Sequence, residues 1–166
     1  MKKFILIAVL VFSGWTAQAQ AQDEFVLSGE IGLPIGDASD FTTFNFGIQV
    51  GYLLGVAESV QVGGKLGYSH SFGDEIDTLL GPIDLDDVQF LPIAAAGRYH
   101  FSDVFLFGLD LGYAVGLNDG NEGGFYYSPY FAYGVSDNVD LFAAFRGVSN
   151  DGSFDVISIG VEFGFN

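Results

Sequence analysis

The residue types best suited to catalysis lie together in one short stretch, residues 68–75, with the sequence YSHSFGDE. It holds a potential nucleophile, a general base and acids that could orient the base (Ser69, His70, Ser71, Asp74 and Glu75). Successive side chains of a β-strand point to opposite faces, so His70 cannot share a face with Ser69 or Ser71. We therefore predict no catalytic residues here, and we interpret His70 and His100 as residues near strand ends.

A second stretch carries the residue types of a cation site. Residues 73–87, GDEIDTLLGPIDLDD, place six acids around an apolar tip at residues 79–83 (Asp74, Glu75, Asp77, Asp84, Asp86 and Asp87). Carboxylates of this kind bind divalent cations, which could bridge to lipid phosphates, and a protruding hairpin could serve adhesion. The spacing does not match an EF-hand, and a solvated loop is the simpler interpretation, so we predict no metal site.

The sequence contains no motif for other kinds of catalysis. The chain has no cysteine, which excludes thiol nucleophiles, Cys–His metal sites and disulfides. It also lacks a glycine-rich phosphate loop and a Gly-x-Ser-x-Gly sequence. We predict no cofactor.

The first 21 residues have the features of a secretory signal peptide. Two lysines precede an apolar run at residues 4–12, and small residues follow with two Ala-x-Ala sequences. The run is too short for a membrane-spanning helix, which needs about 20 apolar residues. We predict cleavage after Ala19 or Ala21 and a single domain over residues 22–166.

The remaining chain combines strong acidity with high hydrophobicity. It keeps three basic residues, Lys65, Arg98 and Arg146, against 21 acids, so its net charge is −18. This balance argues against nucleic acid as a partner, because phosphate contacts need lysine and arginine. Since 49% of residues are hydrophobic and only one lysine remains, we expect something other than water to cover much of the surface.

Period-2 alternation of apolar and small or polar residues runs along nearly the whole chain and predicts β-strands. Eight segments are separated alternately by loops and tighter turns, at residues 25–33, 41–54, 60–72, 87–101, 104–117, 125–135, 139–148 and 154–165. About 10 residues at about 3.3 Å each, tilted near 40°, cross about 25 Å. The pattern predicts an all-β, eight-stranded antiparallel transmembrane up-and-down β-barrel.

Which face is inside follows from the charges. All three basic residues share the parity of the glycines and serines, and so do four acids; a charge facing lipid is costly, whereas one in the lumen can be paired. We predict a lumenal ion-pair network of Glu30, Lys65, Arg98, Asp110, Asp140, Arg146 and Glu162. A soluble lipocalin-type barrel would invert the faces and leave a poor exterior.

Two further features concern the strands themselves. Aromatic residues at strand ends predict interfacial belts, with Tyr68 and Tyr113 towards the loops and with Tyr52, Tyr99, Phe101 and Tyr133 towards the turns. Pro92 and Pro129 fall inside predicted strands, where each implies a bulge or a lost ladder hydrogen bond.

The chain ends in VISIGVEFGFN, and with this strand it resembles the small outer-membrane β-barrel proteins of the OmpA/OmpX type. The alternating residues Ile157, Ile159, Val161, Phe163 and Phe165 are similar to the C-terminal signal that the barrel assembly machinery recognises; Asn166 after Phe165 departs from it. The resemblance implies a monomer in the outer membrane of a Gram-negative bacterium, in contact with lipids and lipopolysaccharide, with both termini in the periplasm.

The resemblance specifies function less closely than fold, because one fold serves many functions. We expect a non-enzymatic protein with a side-chain-filled lumen and a structural or surface-interaction role. Two alternatives stay open: a lipid A-modifying enzyme that uses the residues around His70, and a narrow ion channel.

Overall fold

The computed structural model describes residues 23–78 and 81–166. The predicted signal peptide lies outside the described residues, as do residues 79 and 80 of the apolar loop tip. For residues 76–78 and 84, the backbone alone is described.

The described chain is almost entirely β-structure. Its strands are β1 (Glu24–Ile35), β2 (Thr42–Ala57), β3 (Val60–Gly73), β4 (Glu75–Thr78), β5 (Gly81–Asp84), β6 (Val88–His100), β7 (Phe105–Gly116), β8 (Gly124–Ser136), β9 (Val139–Ser149) and β10 (Ser153–Phe165), with a short 3-10 helix at Gly36–Asp40. Within residues 23–78 and 81–166, no helix is long and apolar enough to cross a membrane.

Eight of these strands close into one antiparallel barrel, in the order β1-β10-β9-β8-β7-β6-β3-β2. Each strand pairs with its neighbours along the chain, and β1 pairs with β10 from Phe25↔Phe165 to Ile35↔Asp155. The predicted fold class is therefore confirmed. The last strand closes the barrel, and its residues take part in strand pairing up to Phe165.

The largest departure from the predicted elements lies between β3 and β6. The sequence indicated a loop over residues 73–86, whereas β4 and β5 pair with each other as a separate hairpin. Its arms are only four residues long, too short for alternation to show. A hydrogen bond from Leu85 N to Asp74 O closes the base of the hairpin, and one from Asp74 N to Phe41 O joins this base to the β1–β2 connection.

The two faces of the barrel wall differ sharply in chemistry. Along β1 and β10, the residues with odd numbers point outwards, and Ile31 and Ile159, which are paired at mid-strand, are 51% and 61% exposed. The even-numbered residues of the same strands, among them Ser28, Glu30, Ser158 and Glu162, are buried inside. A continuous apolar wall thus surrounds a polar interior.

The prolines account for two gaps in the ladder. On one side, Pro92 pairs in register with Ala114, and Pro129 pairs with Leu109. On the other side, pairing of β6 with β3 stops between Phe90 and Ile93, and pairing of β8 with β9 stops between Tyr127 and Tyr130; the register resumes unchanged. Each proline therefore costs ladder hydrogen bonds on one side without forming a bulge.

Candidate functional site

The lower half of the lumen, towards the turns, is organised around Lys65 on β3 and Arg98 on β6. Lys65 Nζ lies 3.1 Å from Asp110 Oδ2 and 3.7 Å from Glu162 Oε2. Arg98 forms an ion pair with Glu162 and lies 3.6 Å from Glu24 Oε2. Glu162 therefore joins the two cations into one buried cluster.

A tyrosine completes this cluster. Tyr130 accepts hydrogen bonds at its hydroxyl from Lys65 Nζ at 3.2 Å and from Arg98 Nε at 2.7 Å. The Lys65 ammonium also lies 4.5 Å from the centre of the Tyr130 ring, a cation–π distance. The sequence did not indicate this role, because residues 125–135 carry tyrosine on both parities.

The upper half of the lumen contains a separate ion pair between Arg146 on β9 and Glu30 on β1. Glu30 Oε2 also accepts a hydrogen bond of 2.8 Å from the Ser158 hydroxyl. Arg146 Nε has no hydrogen-bond partner among the described residues. Glu30 is therefore the carboxylate that balances the buried positive charge of Arg146.

One predicted member of the network is not part of it. Asp140 is half-buried at the turn end and forms no ion pair within the described residues, whereas Glu24 at the start of β1 contacts Arg98. Asp140 pairs in register with Glu162, so both acids lie near the same cation. Arg98 is already bound by Glu162, Glu24 and Tyr130, and water can reach the half-exposed Asp140.

Glycines opposite the long side chains make room for them. Gly47 is paired with Glu30, and a Cβ there would lie 2.5 Å from Glu30 Oε1 and 3.0 Å from Arg146 Nη1. Gly108 is paired with both Arg98 and Tyr130, and a Cβ there would overlap the Tyr130 ring. A larger residue would displace Glu30 and Arg146 at position 47 and the Tyr130 ring at position 108.

The lumen is closely packed around Arg146. Two cavities next to Arg146 have volumes of about 10 Å³ and about 20 Å³. One water molecule needs a cavity of about 10–15 Å³. The space between the ion pairs thus holds isolated waters at most.

The residues of the YSHSFGDE stretch do not form a serine-type catalytic site. Ser69 and Ser71 face the lumen, where their hydroxyls accept hydrogen bonds from Asn45 Nδ2 at 2.9 and 2.8 Å. His70 faces outwards, packed between Phe46 and Phe72. The wall of the barrel separates the imidazole from both hydroxyls.

The acid next to His70 is one that the sequence did not indicate for it. His70 Nε2 lies 3.0 Å from Asp87 Oδ2, and its Nδ1 lies 3.0 Å from the Tyr68 hydroxyl. Asp87 Oδ1 also accepts a hydrogen bond of 2.9 Å from Gly73 N. The pairing of β3 with β6 brings Asp87 beside the end of β3, a contact that spans 17 positions along the chain.

The predicted aromatic belts and the final strand lie on the outer wall. Tyr68 and Tyr113 are near the loop end, and Tyr52, Tyr99, Phe101 and Tyr133 are near the turn end. Ile157, Ile159, Val161, Phe163 and Phe165 face outwards from β10, and Phe165 packs against Phe25 with ring centres 6.2 Å apart.

The acids of residues 73–87 were weighed above as ligands of a divalent cation. No group of three or more histidine, cysteine, aspartate or glutamate residues within residues 23–78 and 81–166 could hold a metal ion. His100 contacts Gln61 Oε1 at 3.1 Å at the turn end.

Comparison with known proteins supports the fold. No family model matches the sequence, and no curated protein matches it. Among solved structures, the barrel is similar to the outer membrane protein Ail of Yersinia pestis in a phospholipid nanodisc, with a TM-score of 0.63 and 13% identity over 87% of this chain and all of Ail.

Two further structures show the same architecture. The N-terminal β-barrel domain of Pseudomonas aeruginosa OprF matches with a TM-score of 0.54 and 15% identity, over 88% of this chain and all of that one. A de novo designed transmembrane β-barrel matches with a TM-score of 0.57 and 14% identity, over 89% and 100%. The chain therefore has the fold of an eight-stranded transmembrane β-barrel.

The Glu30–Arg146 pair gives a quantitative prediction. Replacing Arg146 by Met, or Glu30 by Gln, should each lower the free energy of unfolding by about 3–5 kcal/mol, because each change leaves one buried group without its partner. The double variant Glu30→Gln/Arg146→Met should be more stable than the sum of the single effects implies. Urea unfolding of the protein in lipid vesicles measures all three.

The matched control for this cycle is Asp151→Asn, an exposed acid that lies in a loop and should change stability by less than about 0.5 kcal/mol. Additive single effects would show that Glu30 and Arg146 do not act as a pair.

Proposed function

We propose that this protein is a small barrel of the outer membrane of a Gram-negative bacterium, with a closed lumen and a non-enzymatic structural or surface-interaction role. One observation carries the proposal: the three lysine and arginine residues of the described chain are all buried inside, while the outer wall is apolar. This arrangement suits lipid outside and ion pairs inside.

A soluble barrel would have the opposite arrangement. Large apolar side chains are exposed around the whole wall, for example Leu33 and Phe131 at 61% and 63%. Contiguous apolar patches larger than a few hundred Å² are rare on soluble monomers. The extent of the exposed apolar wall favours a membrane protein.

The topology supports an orientation. The two ends of the described chain meet where β1 and β10 pair, at the end of the barrel with the tight turns. We propose that this end faces the periplasm and that the loops face outwards. Ile157, Ile159, Val161, Phe163 and Phe165 would serve as the signal for the barrel assembly machinery, and the assembled protein would be a monomer in contact with lipids and lipopolysaccharide.

The filled interior argues against the channel alternative. The cavities near Arg146 are too small for a hydrated ion, and the clusters around Lys65 and Arg146 occupy successive levels of the lumen. An ion would have to displace paired charges to pass.

The outer surface also argues against a sulfated ligand. Ail has been crystallised in complex with the heparin analogue sucrose octasulfate. The described surface of this chain presents no lysine or arginine, because Lys65, Arg98 and Arg146 are all inside. A polyanion would therefore be repelled by the loop end.

Planar-bilayer recording tests the closed lumen. The reconstituted protein should show no discrete conductance steps, because buried ion pairs block the lumen. Conductance steps whose size changes in Arg146→Ala, but not in the surface variant Asp151→Asn, would show that the lumen conducts ions and that the protein is a channel.

Lipid A analysis tests the absence of enzymatic activity. By mass spectrometry, the lipid A of cells that produce the protein should have the same acyl chains as the lipid A of cells without it. The reason is that His70 faces outwards, whereas the serine hydroxyls of Ser69 and Ser71 face the lumen. An altered acyl pattern that disappears in His70→Ala, but not in His100→Ala, would establish the enzyme instead.

A further inference from the structure

A cavity of about 480 Å³ lies at the loop end of the barrel, between the β7–β8 and β9–β10 connections and the start of β6. We call it the loop-end cup. Its floor is formed by Phe41, Phe90 and Phe154, and its rim carries Asp86, Asp119, Glu122 and Asp151. Its volume is within the usual range of ligand pockets, about 300–1,000 Å³.

The floor is a cluster of aromatic rings. Phe154 packs edge-on against Phe90 with ring centres 5.5 Å apart, and its ring centre lies 6.1 Å from that of Phe41. Aromatic faces attract ammonium and guanidinium groups, and they also pack against the apolar stems of such side chains.

The rim is negatively charged and its acids are free. Asp86, Asp119, Glu122 and Asp151 are exposed, and none of their carboxylates forms a hydrogen bond or an ion pair within the described residues. Asp87 differs from them, because its carboxylate binds Gly73 N and His70. Four carboxylates are thus available to a cation from outside.

Asparagine side chains hold the cup in shape. Asn118 donates to Asp87 O at 2.9 Å and accepts from Gln89 N at 3.0 Å, and Asn121 donates to Gln89 O at 2.9 Å. Asn150 donates to Gly123 O at 3.1 Å and thereby joins the β9–β10 connection to the β7–β8 connection. A site ordered before binding loses less entropy when a ligand binds.

The spacing of the acids indicates the kind of ligand. They belong to three separate connections of the chain, and no three of them converge closely enough to hold a metal ion within the described residues. Charges distributed around a rim suit several cations spaced along an extended ligand better than one small ion.

We propose that the loop-end cup binds a basic polypeptide segment in which arginine or lysine alternates with apolar residues. The cationic groups would pair with Asp86, Asp119, Glu122 and Asp151, and an apolar side chain would pack on the floor. The inference rests on the proposed function, which places the loop end outside the cell, and it names the class of partner for that surface.

Fluorescence anisotropy of a labelled octapeptide of alternating arginine and leucine tests the proposal, with the full barrel in phosphatidylcholine nanodiscs. The variant Asp119→Asn/Glu122→Gln/Asp151→Asn should bind this peptide about tenfold more weakly, as expected for three exposed charge pairs. The variant Phe41→Ala should weaken the arginine–leucine peptide but leave an arginine–glycine peptide unchanged.

The matched control removes the same number of charges at the opposite end, Glu58→Gln/Asp103→Asn/Asp137→Asn, and should leave affinity within about twofold because those sites lie beyond the Debye length of about 8 Å at physiological salt. Equal losses of affinity in both triple variants would show that the peptide is attracted by the overall negative charge and not by the cup. Absence of peptide binding to the unmodified protein would also overturn the proposal. Equally tight, rim-dependent binding of spermine would make the cup a site for small amines. If the bilayer recording shows no conductance steps and the peptide does not bind, the peptide site is wrong and the closed-lumen proposal stands.

Discussion

The structure depends on one electrostatic constraint: with an apolar wall outside, every charge of the barrel strands near mid-height must be placed inside and paired there. Lys65, Arg98 and Arg146 all meet this condition, through Asp110, Glu162 and Glu24 in the lower cluster and through Glu30 in the upper pair. Burial makes an unpaired charge expensive and a paired one tolerable. The alternation of apolar and polar residues along each strand satisfies this constraint, because it turns the apolar side chains outwards and the charged ones inwards.

Packing follows from the same constraint. Long charged side chains need space across a narrow barrel, and glycines such as Gly47 and Gly108 stand opposite them in the register. The interior that results is closely packed near Arg146, with cavities of about 10 and 20 Å³. The loop end differs from this packed lumen, because exposed carboxylates there surround an aromatic floor.

The sequence predicted the barrel well because both determinants of a strand, its period and its ends, are local. It could not predict contacts that depend on the register between distant strands: Glu24 rather than Asp140 beside Arg98, Tyr130 inside rather than outside, and Asp87 beside His70. The prolines illustrate the difference. Their presence predicted a bulge or a lost hydrogen bond, but only the pairing shows that no bulge forms and that each loss falls on one side of its strand.

Whether the outer wall faces lipid can be measured with a single introduced tryptophan. The chain has none after the predicted signal peptide, since Trp15 lies within it. A tryptophan introduced as Ile159→Trp should be quenched by brominated lipids and protected from iodide, and one introduced as Asp151→Trp should behave in the opposite way. Quenching of both tryptophans by iodide to the same extent would show that the wall around residue 159 faces water and that the barrel does not sit in lipid.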